Sequence, residues 1–279
     1  MRSAHRQFSQ CVELAQRHGL GRVEVANRHM VGWSAHYLND LRGSIDAGKE
    51  SIHMASLVSH RRVEAIARHL VAYVQGWLIG DTIAAREQLD VALDICRALG
   101  AKRFEGHNMV LRASLELRGG DRVRAVELAR QALVFCRQNG MAFYGPVALG
   151  LVARLCNDRE ERGSLNAEAE ALLAGGAIGH NYFEFYTMAI DAALECGEWD
   201  AAAHFCAKLE RYTAGEPLPL SDFVIARGRA LARHGRGVRD GQLIQELREL
   251  RQRAVRHELN LFVPSLDAAL QSVPAESPH

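Results

Sequence analysis

Thirteen histidines and six cysteines are the side chains of this 279-residue chain best able to do chemistry. Imidazoles and thiolates bind metals, move protons and attack carbonyls where spacing brings two or three of them to one face. His29 and His69 hold the same place in two successive repeat units, and His36 lies two helical turns after His29. Such a column could face a ligand or a metal, or it could flank an apolar stripe in partial contact with water. No HExxH run is present, and His257-Glu258 lacks the second histidine, so the pattern predicts no metal and no cofactor. Cys206 and His204 stand two apart on a helix, so their side chains diverge and a Cys–His nucleophile is not expected. The cysteines form no CxxC pair, and most sit beside alanines and leucines, which predicts buried reduced thiols. Gly175-Gly176-Ala177-Ile178-Gly179 has the glycines of a phosphate loop but no lysine and no preceding strand pattern, so it reads as a loop between repeats. No catalytic residue is predicted, and the chain does not read as an enzyme.

Binding chemistry is better represented. Trp33 with Tyr37 and Tyr73 with Trp77 are aromatic pairs four residues apart at equivalent positions, suited to a groove wall or to packing between helices. Asn27, Asn108 and Arg112 are polar residues on the helices expected to line a concave face. Together Asn27, His29, His69, Tyr73, Asn108 and Arg112 are the predicted groove contacts.

The elements that must position them follow from a repeat. Val23, Val63, Phe104, Tyr144, Phe183, Phe223 and Phe262 open successive units, so each step is 39, 40 or 41 residues. Seven residues on from each lie Met30, Leu70, Leu111, Leu151, Ile190, Ala230 and Ala269, two turns along the same face. Ala92 matches Ala132 and Cys96 matches Cys136 in the second helix of their units, and such small residues let paired helices approach closely. Gly80-Asp81, Gly120-Asp121 and Gly197-Glu198 read as turns, Gly145-Pro146 as a first turn, and Ser221-Asp222 as a helix cap. The predicted fold is an all-α, right-handed α-solenoid of antiparallel helix pairs, one domain over residues 1–271, with 272–279 as a disordered tail. A first helix over 4–18 has no leading partner, so an exposed apolar edge at Phe8, Val12 and Leu14 is expected, open to association with another chain.

The turn pair Gly80-Asp81 with Ala85 and Ala92, and its copy Gly120-Asp121 with Ala125 and Ala132, resemble the tetratricopeptide pattern, although the unit is longer than that family's usual length of about 34 residues. A second resemblance covers nearly the whole chain. It rests on Gly21-Arg22-Val23-Glu24-Val25-Ala26-Asn27, Gly179-His180-Asn181-Tyr182-Phe183, Glu216-Pro217-Leu218-Pro219-Leu220-Ser221-Asp222-Phe223 and Ala226-Arg227-Gly228-Arg229-Ala230. These strings are similar to the C-terminal helical-repeat half of bacterial signalling proteins that carry a class III adenylate/guanylate cyclase domain and an AAA-type ATPase domain upstream. The chain has no GxxxxGK[ST] loop and no cyclase domain, so the resemblance implies only a non-enzymatic interaction or regulatory module.

Net charge is +1, and the nine arginines of residues 227–256 are interleaved with acids, so neither nucleic acid nor membrane is an expected partner. With no signal peptide or long apolar run, the cytoplasm is the expected compartment. The predicted function is a scaffold holding a protein or peptide in its concave groove. The alternative is an array that senses a small molecule, which a closed aromatic pocket near Tyr73, Trp77 and Arg112 would mark.

Overall fold

Apolar residues at three- and four-residue spacing, with few prolines to interrupt them, fold almost the whole chain into helices. The computed structural model describes residues 1–272, and every regular element among them is helical. In order they are α1 (Arg2–Arg17), α2 (Gly21–Tyr37), α3 (Leu41–Leu57), α4 (Arg61–Ala72), α5 (Thr82–Ala98), α6 (Lys102–Arg118), α7 (Arg122–Asn139), α8 (Met141–Leu155), α9 (Arg159–Ala174), α10 (His180–Glu195), α11 (Trp199–Thr213), α12 (Pro219–Gly235), α13 (Gly241–Arg256) and α14 (Val263–Gln271). The predicted tail lies, apart from Ser272, outside the described residues.

Short polar turns set the boundaries. Asp40, Asp81, Asp121, Asp158 and Asp240 cap α3, α5, α7, α9 and α13, each accepting the backbone N–H three residues on. Gly80 and Gly120 reach φ of 109° and 89° ahead of two of these caps, as the Gly-Asp pairs predict. Gly197, at φ 70°, and Glu198 likewise turn the chain into α11, and the Glu198 carboxylate takes Arg162 Nη2 at 2.7 Å. Other expectations fail. Ser221 and Asp222 do not cap α12, because Pro219 already begins it. Pro146 is not in a first turn, since α8 starts at Met141. Cys11 and Cys196 are exposed, while the other four cysteines are buried.

One deviation was not foreseen. α4 continues past Ala72 as a π-helical stretch, Tyr73–Ile79. Gly76 fits there because a Cβ would lie 2.4 Å from Ala85 Cβ and 2.7 Å from Leu115 Cδ2. At its end the Leu78 carbonyl accepts from Leu261 N at 2.9 Å and the Ile79 carbonyl from Asn260 Nδ2 at 3.0 Å. The last two helices are thereby attached to the second helical pair.

Each helix packs on its sequence neighbours, and α2, α4, α6, α8, α10 and α12 also meet one another. α2 touches α4, the π stretch touches α6, and contacts then run from α6 to α8, α10 and α12. α12 returns to α2, which closes the circuit. The burial pattern follows this division. α8 buries residues on every face, whereas α7 buries one stripe of small and apolar side chains. Of the seven unit-opening residues, Val63, Tyr144, Phe223 and Phe262 are buried, and Phe104 and Phe183 are partly buried. Val23 departs from them at 47% exposed, because Glu24 and Val25 take the inner side of α2.

Glycine sets the closeness of the α2–α3–α4 contact. A Cβ on Gly32 would lie 2.6 Å from Leu70 Cδ2 and 3.0 Å from the Ser44 carbonyl oxygen. Gly32→Ala is therefore expected to destabilise the fold by about 1–2 kcal/mol, overpacking outweighing the gain in helix propensity. Gly163, in α9, has open space around its Cβ position. Gly163→Ala should stabilise by up to about 1 kcal/mol. Urea titration of the two variants beside the parent checks both signs.

Candidate functional site

The site begins with a proline. Pro146 has no N–H to give the Ala142 carbonyl, four residues back. That carbonyl accepts instead from Ile178 N at 3.2 Å. The next one, of Phe143, accepts from His180 Nε2 at 2.9 Å and from Asn181 Nδ2 at 3.0 Å. A carbonyl can only accept, so His180 carries its proton on Nε2. The interruption in α8 thus fixes the start of α10 and the tautomer of His180.

The interior of the circuit does not pack solid. Side chains of α1, α2, α4, α6, α8, α10 and α11, with the 214–218 connector, surround a cavity of about 780 Å³. This is within the usual size of a small-molecule site, about 300–1,000 Å³. Trp33, Tyr37, Phe104, Phe143, Phe183 and Tyr212 supply aromatic wall, and Met30 and Ile66 supply aliphatic wall. Tyr37 meets Phe183 across the circuit at 4.7 Å between ring centroids. Tyr212 stacks on Tyr182 at 3.9 Å. On one side the cavity is bounded where Glu216 of the connector accepts from Arg2 N at 2.8 Å, and also meets the Met1 ammonium. A carboxylate there is favoured by the N-terminus of α1.

The polar groups in this apolar shell are few. Glu184 is only 5% exposed. Its Oε2 accepts from the Tyr144 hydroxyl. Its Oε1 accepts no hydrogen bond from any described residue. Burial pushes the Glu184 carboxyl up to about 7, against the lowering effect of Tyr144. Histidines surround it. His107 packs at a tilt against Tyr144 at 3.9 Å and against His69 at 3.6 Å, and lies near-parallel to His180 at 6.0 Å. Burial pushes His29 and His107 down and brings His180 to about 4, so all three are neutral at physiological pH. The His107 Nε2 and the Tyr37 hydroxyl are buried without a hydrogen-bond partner. No lysine or arginine lines the cavity.

The predicted contacts divide. His29 lines the cavity, its Nδ1 3.3 Å from the Val25 carbonyl. His69 lies one layer behind, giving its Nδ1 proton to Asn108 Oδ1 at 3.1 Å. Asn108 in turn donates to the Phe104 carbonyl at 2.6 Å, so the pair holds the Phe104 wall. Tyr73 is buried, 6.0 Å from the Trp33 ring. Two contacts are misplaced. Asn27 donates to the Val23 carbonyl of its own helix at 2.8 Å, and Arg112 pairs with Asp90 of α5, away from the cavity. Of the aromatic pairs, Trp33 and Tyr37 line the site, whereas Trp77 is buried with the Arg154 guanidinium 5.8 Å over its ring. The expected apolar edge of α1 is also corrected: Val12 is buried and Phe8 lines the cavity, leaving Leu14 exposed.

Convergent titratable groups are more than the spacing foresaw, since Glu184, His107, His180 and Tyr144 were not singled out. Sequence neighbours gave one signal, an acid inside the run Tyr182-Phe183-Glu184-Phe185-Tyr186. The arrangement still lacks the parts of a hydrolytic centre. Ser34, on the wall, sits 2.8 Å from His5 Nδ1, but its hydroxyl is also 2.9 Å from the Met30 and Val31 carbonyls. No third group among the described residues orients His5. No helix of the described residues is long and apolar enough to cross a membrane. Comparison of the chain with models of known protein families and with the curated proteins finds no match.

Proposed function

We propose that this protein is a non-enzymatic, ligand-sensing helical-repeat module that takes an apolar small molecule into its central cavity. The observation that carries this reading is the 780 Å³ aromatic cavity inside the closed circuit of α2, α4, α6, α8, α10 and α12. Of the two readings left open by the sequence, the scaffold calls for an extended groove for a peptide, and the α2–α12 contact favours the more compact sensing array. The sensing array needs a concave aromatic pocket with few polar handles, which fits the interior. The forty-residue unit supports a tetratricopeptide-like superhelix wound tightly enough for its ends to meet. Combined with the resemblance to cyclase–ATPase proteins, the reading makes this a regulatory part of a bacterial signalling system, in which a ligand bridging several helical pairs would couple their positions.

Naphthylethanol, a neutral aromatic of suitable size, tests it. One equivalent should bind by calorimetry, quench Trp33, and at a hundred times Kd stabilise the fold by about 2.7 kcal/mol. Ile66→Trp places a large ring in the cavity and should abolish binding. Absence of binding by the parent protein, or undiminished binding by Ile66→Trp, would overturn the reading.

A further inference from the structure

The cavity contains an unusual charge inventory. Among the described residues its carboxylates are Glu184 and Glu216, and its one cationic group is the Met1 ammonium, already paired with Glu216. The three lining histidines are held neutral by burial. Nothing on the wall could neutralise an anionic ligand. Glu184, by contrast, presents a free Oε1 from an almost fully buried side chain. Beside it the Tyr37 hydroxyl oxygen, a further acceptor, is without a partner among the described residues. An ammonium group has up to three N–H donors and no acceptor. Aromatic faces of Trp33, Tyr37, Phe183 and Tyr212 complete the wall, and π faces attract organic cations.

Resting on the proposed ligand-binding role of this cavity, we infer that its ligand is an organic cation, a protonated amine carried on an apolar, planar body, with Glu184 as its anchor. The ammonium donates to Glu184 Oε1, and the planar body lies among the aromatic rings. Tyr144, which holds the other carboxylate oxygen, keeps the anchor oriented. The groups facing Glu184 from the surrounding elements are Tyr37 of α2, Tyr73 of the π stretch and Tyr144 of α8, with His107 of α6 beside Tyr144 and Tyr212 of α11 on the same cavity wall. All are neutral at pH 8, so the arriving cation meets one unopposed negative charge. The empty site holds its carboxyl near 7, so binding a cation below that pH releases a proton and is correspondingly weaker.

The test compares naphthylethylamine, naphthylethanol and naphthylacetate by calorimetry at pH 8 on the full chain. The amine should bind about 10- to 100-fold tighter than the alcohol, as a hydrogen bond to a charged group allows, and the acetate weaker than either. In Glu184→Gln the ratio of amine to alcohol affinity should fall to about one, with circular dichroism confirming the fold. Equal affinities for amine and alcohol in the parent protein, or a preference that survives Glu184→Gln, would overturn the cation assignment and leave the apolar cavity reading standing. Failure of all three probes to bind would overturn both.

Discussion

Lowering the pH from 7 to 5 is expected to remove most of the protein's stability. Five histidines are held by burial below their ordinary value: His29, His69 and His107, with His36 at about 3 and His180 at about 4. His36 shows the cause most plainly, being fully buried against Trp33, Tyr37 and Tyr73 with neither ring nitrogen bonded. For a group depressed in this way, the folded state binds fewer protons than the unfolded chain between the two values. Its stability is complete above about 6.5 and is lost as the pH falls towards the folded value. Each group contributes a slope of up to about 1.4 kcal/mol per pH unit. Glu184 runs the other way, since its raised value stabilises the fold in acid and is lost as pH rises through about 7. The slopes of His36, His69, His107 and His180 less one carboxyl slope leave about 4 kcal/mol per pH unit near pH 5.5, with His29 acting in the same direction. That rivals the whole stability of a typical domain, about 5–15 kcal/mol. Urea titrations at half-unit steps from pH 7.5 to 4.5 measure the slope, and His36→Phe should reduce it by about 1.4 kcal/mol per unit. A stability that stays level down to pH 5 would show that these imidazoles are not kept neutral.

The same residues indicate what the sequence makes legible. The forty-residue step located the helices because burial on a helix repeats with the backbone, and the Gly-Asp turns marked their ends through local chemistry alone. His29 and His69 hold equivalent positions in two units, yet only His29 lines the cavity, because the next ring, His107, comes between His69 and Tyr144, an arrangement set only in three dimensions. The closing of the circuit was not legible. It depends on α12 meeting α2 and on Leu261 reaching the Leu78 carbonyl, contacts between residues far apart in the chain. Glu184 became significant only in three dimensions, because Tyr144 comes to it from the preceding unit and Tyr37 from across the circuit. Arg112 pairs with Asp90 and does not line the cavity, and polarity on an inner helix does not reveal which neighbour lies close. Pro146 looked like a helix start, yet its role is to free a carbonyl for the loop before His180.

Asp191→Asn is expected to destabilise the protein by about 3–5 kcal/mol at pH 7, the cost of leaving a buried charge without its partner. Asp191 is 3% exposed on α10. It accepts from Arg227 Nη1 at 2.7 Å and lies 3.2 Å from Arg154 Nη1. Burial pushes its carboxyl up, but the guanidiniums of Arg227 and Arg154 outweigh that and hold it below the ordinary range. Arg227, on α12, also donates to Ser265 Oγ of α14 and lies 4.9 Å over the Phe262 ring. Arg154, on α8, covers Trp77 of the π stretch and bonds Glu195 at 2.5 Å. One carboxylate thus joins α8, α10, α12 and, through the arginines, both sides of the seam where the circuit closes. Arg154 keeps Glu195 when Asp191 is neutralised, whereas Arg227 is left with hydroxyl partners only. The double variant Asp191→Leu with Arg227→Met should therefore be more stable than Asp191→Leu alone, since no charge is then buried unpaired. A lowered carboxyl stabilises the fold above its unfolded value and loses that effect only as pH falls through the folded one, below the interval from pH 6.5 to 5 in which the histidine slope is read. Asp191→Asn should accordingly lower the stability curve at pH 7 while leaving its slope between pH 6.5 and 5 unchanged, and a flattened slope in that variant would mean that the histidines and the seam are not independent.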